Sequence, residues 1–130
     1  MKRPWLKDAP WTVVTELNRQ LCAKKNAQHG STSDGHAPAQ RLWEAKQHQL
    51  LSLSELAQLC HACHRHAPFL NFNGNTFVAI ARQAVATLKL PSPQAATLRS
   101  LIGHIVAGTA EPPEQAQFAK LMQELDDRAH

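Results

Sequence analysis

At 130 residues the chain is long enough to bury one hydrophobic core without disulfides or a metal, and 43% apolar residues supply it. Its net charge of +4 is not gathered into a basic stripe and its few aromatics do not interleave with basic residues, which argues against a nucleic-acid binder. Three cysteines, an odd count, argue against a secreted disulfide scaffold, and no apolar run approaches the roughly 18 residues of a membrane span.

Met1-Lys2-Arg3-Pro4-Trp5-Leu6-Lys7-Asp8 has basic residues with no apolar run behind them, so a soluble cytoplasmic protein with no membrane segment is expected. Asp8 is placed to cap a first helix running to about Lys25, with Pro10 in its opening turn and Val14, Leu17 and Leu21 at helical spacing. From Asn26 to Pro38 the composition turns to Gly, Ser, Thr, Asp and His without periodicity, which reads as a mobile loop. A second helix is expected over Ala39 to Gln49, burying Leu42 and Trp43.

Ser52 with Glu55 three residues on makes a capping box, and Leu53, Leu56, Leu59, Cys60 and Cys63 trace the apolar stripe of a third helix that Pro68 ends. After a tight loop, Asn73 or Asn75 is placed to cap a fourth helix with the core face Phe77, Ile80, Ala81, Ala84, Val85 and Leu88. Ser92-Pro93 opens a fifth, burying Leu98, Leu101, Ile102, Ile105 and Val106 and closed by Gly108. A sixth follows Pro112-Pro113 and packs Phe118, Leu121, Met122 and Leu125. No stretch alternates with period two for long enough to be a strand, and the reading is a single all-α domain over 1–130 with about six helices and no internal repeat.

The densest polar chemistry lies in Cys60-His61-Ala62-Cys63-His64-Arg65-His66, followed by Ala67-Pro68-Phe69-Leu70-Asn71-Phe72-Asn73-Gly74-Asn75-Thr76. Cys60, Cys63 and His64 match the Cys-x-x-Cys-His pattern of covalent haem attachment. The same three atoms sit on one helical face with the softness zinc prefers, His66, His29, His36 or Cys22 being candidates for a fourth ligand. Against both, Cys60 and Cys63 extend an apolar stripe in which free cysteine behaves as a small hydrophobe. No phosphate loop of standard spacing exists, carboxylates are sparse in the central region, and no nucleophile triad can be assigned.

The loop after the cysteines resembles the signature of Fic and Doc proteins, in which a helix ends in His-Pro-Phe and an Asn, Gly and Thr lead into the next. Pro68, Phe69, Asn73, Gly74 and Thr76 agree in identity and register, and Asn71 replaces the usual acid. The resemblance implies a Fic-like all-α fold and a site for ATP with Mg, whose phosphates the loop and helix N-terminus hold, formed here by Asn71, Asn73, Gly74, Asn75 and Thr76. It also implies transfer of AMP or phosphate to a protein hydroxyl. The catalytic His slot holds Ala67, with His66 one residue earlier, and the phosphate-binding Arg slot holds Asn75; Arg82 stands one turn beyond the second Arg slot, Val78.

The bland reading of the three asparagines is that they cap a helix and tie the turn together without a ligand. The leading functional expectation is a protein-binding or regulatory module of degenerate Fic-like architecture. A nucleotidyl- or phosphotransferase using His66, and a haem or zinc protein using Cys60, Cys63 and His64, are the alternatives. Residues 51–100 carry four Lys or Arg against one acid, whereas the last thirty carry two against five, a polarity able to orient a partner.

Overall fold

The computed structural model describes residues 1–128, which form six helices and a two-residue antiparallel pairing. In chain order these are β1 (Lys2–Arg3), α1 (Trp11–Lys24), α2 (His36–Lys46), β2 (Leu51–Ser52), α3 (Leu53–His66), α4 (Asn73–Thr87), α5 (Ser92–Ala107) and α6 (Pro112–Arg128). The all-α expectation holds. β1 pairs with β2 through Lys2 opposite Ser52 and Arg3 opposite Leu51, a contact too short to leave an alternating pattern in the sequence.

α3 is the central element and packs on α2, α4 and α5, while α6 packs on α5 and α1 on α4. Its apolar stripe Leu53, Leu56, Leu59, Cys60 and Cys63 is buried as the spacing predicts. The Ser52 hydroxyl accepts from the Glu55 N–H at 3.0 Å and the Glu55 carboxylate accepts from the Ser52 N–H at 2.9 Å, so the capping box forms. That second bond, more than Lys2 nearby, holds the Glu55 carboxyl below the usual range.

Local expectations are corrected at four points. Asp8 caps nothing: it lies in a turn, and α1 opens at Trp11 behind Pro10 with no side-chain cap. The stripe of α1 that faces the core is Trp11, Val14, Asn18 and Cys22, which leaves Leu17 and Leu21 half-buried. In α2, which starts three residues earlier than expected, Ala39 and Trp43 point inward and Leu42 is 37% exposed, because one residue along a helix turns the side chain by about 100°. Neither Asn73 nor Asn75 caps α4. The preceding residue is Phe72 in the left-handed region (φ 60°), and no side chain caps the helix.

Trp11, Trp43, Phe69 and Phe77 form an aromatic knot, with Trp11 stacked on Phe69 at 5.7 Å and on Phe77 at 6.4 Å. Trp43 Nε1 donates to the Ala9 carbonyl at 2.8 Å, so the buried indole keeps its partner. Gly108 closes α5 with φ 78°, as the glycine there predicts.

Candidate functional site

The bend between α3 and α4 is where the sequence concentrates its amides. Ala67 (φ 48°) and Phe72 (φ 60°) both adopt the left-handed conformation, a cost of about 1 kcal/mol each for residues with a Cβ. A dense set of bonds offsets it. Asn73 clamps Phe69, its Oδ1 accepting from the Phe69 N–H and its Nδ2 donating to the Phe69 carbonyl, both at 2.8 Å. Asn18, fully buried, donates from Nδ2 to the Asn71 carbonyl at 2.8 Å and to Thr76 Oγ1 at 3.0 Å. Thr76 in turn donates to the Phe72 carbonyl at 2.7 Å.

The segment before α2 is tied to the same bend. Ser31 bridges Phe69, Thr32 N–H donates to the Pro68 carbonyl at 2.9 Å, and Leu70 N–H donates to the Gly30 carbonyl at 3.0 Å. Asn71 Nδ2 donates to the Gln28 carbonyl at 2.9 Å. A Cβ at Gly35 would stand 1.7 Å from the His66 carbonyl oxygen, so only glycine lets the start of α2 lie against the end of α3. Asn71, Asn73 and Thr76, expected at a ligand site, thus bond to the bend and its neighbours. The physical reason is that a proline-broken turn leaves main-chain groups unpaired, and short amide and hydroxyl side chains are the nearest partners.

Gly74, Asn75 and Arg82 are brought together. They line one cavity of about 610 Å³ with Leu21 of α1 and Arg99 of α5. Arg82 Nε donates to the Arg99 carbonyl at 3.2 Å and its guanidinium lies over Gly103, where a Cβ would approach to 2.5 Å. Neither arginine forms an ion pair among the described residues. His66 is exposed and lines none of the principal cavities.

A second cleft of about 480 Å³ lies beside the first, walled by Trp5, Val13, Leu17, Leu56, Ile80 and Ala84, among others. Both cavities include Ala79 and Gln83, so they adjoin along α4 as one furrow, which runs against α1 at Val13, Leu17 and Leu21 and reaches α5 at Arg99. Val13, Leu17 and Leu21 recur every four residues along one wall, as a helical stripe must. The sequence sets Leu17 and Leu21 at helical spacing behind Val14; the apolar pattern is the same for a core face and for an open furrow wall, so nothing in it separates them. Arg99 carried no signal at all.

The thiol and imidazole reading changes too. Cys60 and Cys63 are fully buried, and Cys63 Sγ contacts the Ala39 carbonyl at 3.6 Å. Burial, with Cys63 beside it, pushes the Cys60 thiol far above its ordinary value, and burial pushes Cys63 up to about 12. Neither is a thiolate by itself, and a haem edge has no approach to a side chain sealed in the core. No cluster of three His, Cys, Asp or Glu suited to a metal occurs among the described residues. His64 turns instead onto Gly74, its Cε1 3.4 Å from where a Cβ would stand, with Nδ1 buried and unpartnered. Desolvation, then His61 and Arg65, lower its pKa.

Comparison with known protein families, with curated proteins and with solved structures finds no match. No helix among the described residues is long and apolar enough to cross a membrane.

Proposed function

We propose that this chain is a protein-binding module whose working surface is the α1/α4 furrow, and that its partner presents an apolar segment edged with carboxylates. The observation that carries the reading is the division of labour around α4. The amides and hydroxyl of Asn71, Asn73 and Thr76 are committed internally, while the furrow beside the bend is open, apolar along Val13, Leu17 and Ile80, and flanked by Arg82 and Arg99 without acidic partners among the described residues. Such a mixture of an apolar groove and unpaired guanidinium groups suits a peptide segment laid along a helix pair. The degenerate Fic-like architecture belongs to the same reading, as the lineage from which a binding module with lost catalytic residues would derive.

A photo-crosslinking residue in place of Gln83, in the shared stretch of the furrow, tests it. Capture of a specific protein there, lost in Arg82→Glu/Arg99→Glu and absent when the probe replaces Lys120 on α6, is expected. Equal capture at both positions would contradict it.

A nucleotide site is the second reading, supported by Gly74, Asn75 and Arg82 sharing one cavity at the start of α4, where free main-chain N–H groups favour anions. Thermal stabilisation by millimolar ATP with Mg that Arg82→Ala abolishes would support it, and no shift would remove it.

A further inference from the structure

We propose that the cavity between α3 and α6 binds a small aromatic 2-hydroxy acid, an inference independent of the furrow. The cavity measures about 670 Å³, within the span of small-molecule sites, and its apolar floor is Ile105, Phe118 and Met122. Its polar wall is His61 and Arg65, one helical turn apart on α3 and so side by side on one face.

His61 is held in a defined state. Its Nδ1 lies 2.9 Å from the Val106 carbonyl, which can only accept, so Nδ1 carries a proton and Nε2 is the acceptor of that tautomer. Nε2 bonds to nothing among the described residues and is not sealed from solvent. The ring lies so close over Gly108 that a Cβ there would be 2.8 Å from Cε1, which fixes its plane against the cavity mouth. Arg65 is exposed and unpaired among the described residues. The one carboxylate on the wall, Asp126, is taken by the Met1 amine, which offsets its charge.

The site therefore offers an acceptor, a cation and an apolar floor. A ligand that answers all three donates a hydroxyl to His61 Nε2, places a carboxylate on Arg65 and lays an aromatic ring on Phe118 and Met122. Because the two polar side chains are adjacent, hydroxyl and carboxylate belong on neighbouring carbons.

The test is a titration of the 15N-labelled protein with 3-phenyllactate, compared with 3-phenylpropanoate, which lacks the hydroxyl. Saturable shifts at the α3, α5 and α6 residues of the cavity are expected. Losing the hydroxyl weakens binding about fivefold, and Arg65→Gln about tenfold, as for one neutral and one charge-assisted hydrogen bond. His61→Phe makes the two acids bind alike. Arg65 is exposed, so its variant keeps the test informative if His61→Phe fails to fold. No saturation by about 10 mM, a weaker affinity than one good contact set provides, overturns the proposal. So do shifts that map elsewhere, or affinities that Arg65→Gln leaves unchanged.

Discussion

Single residues decide whether the bend is a site or a knot. Asn18 is the clearest case, since its one amide bonds the Asn71 carbonyl and the Thr76 hydroxyl across more than fifty residues of sequence. Asn18→Ala leaves both partners in a buried place without a donor, so chemical denaturation will show a loss of about 1–3 kcal/mol. An unchanged midpoint would mean that water or a shifted neighbour replaces the amide. That partnership was illegible in the sequence, where Asn18 interrupts an apolar helix and nothing local says whether it points in or out. By contrast the reciprocal bonds of Ser52 and Glu55 were legible, because capping depends on residues only three apart.

His64 makes a prediction of opposite character. Desolvation lowers its folded-state pKa below the ordinary value of about 6.5, so the folded chain takes up a proton later than the unfolded chain on acidification. The stability this neutral ring allows is complete above that ordinary value and is lost as pH falls below it. Urea midpoints at pH 7.5 and 5 will therefore fall further apart in the native protein than in His64→Leu. Equal differences in the two proteins would show that the buried Nδ1 does not govern the response.

At the scale of elements, the order of helices was readable and their rotation was not. Proline and glycine set the boundaries, as Pro68 and Gly108 show, because their restrictions act within a residue or two. Which face turns inward depends on neighbours far along the chain. Hence Trp43 is buried as expected while Leu42 beside it is not, and Leu17 and Leu21 are furrow walls. The segment over 26–38 illustrates the same limit: its composition reads as a loop, yet its bonds to Phe69, Pro68 and Leu70 make it a strap across the bend. Gly35→Ala drives a Cβ into the His66 carbonyl and will cost on the order of 1–3 kcal/mol, the usual penalty of overpacking. A thermal melt unchanged by that substitution would show that α2 and α3 can slide apart freely.

For the whole molecule, charge and shape point to one face. The acids of the last thirty residues lie on or beside α6, whereas Arg82 and Arg99 flank the furrow on α4 and α5 without acidic partners among the described residues. A partner approaching this field meets the basic face first, and association should slow as salt screens it beyond about 10 Å at 0.1 M. The Fic and Doc resemblance rests on a proline-broken turn rich in amides, and such a turn needs many bonds. What it could not say is where those bonds go.

A structural bend stands apart from the proposed working furrow, and one comparison of crosslinking yield at position 83 examines that separation directly. Asn73→Ala, measured below its lowered melting temperature, is predicted to retain the yield, whereas Arg82→Glu/Arg99→Glu is predicted to keep its melting temperature and lose the yield. The reverse pattern, with Asn73→Ala abolishing capture while the charge-reversed protein retains it, would contradict the account.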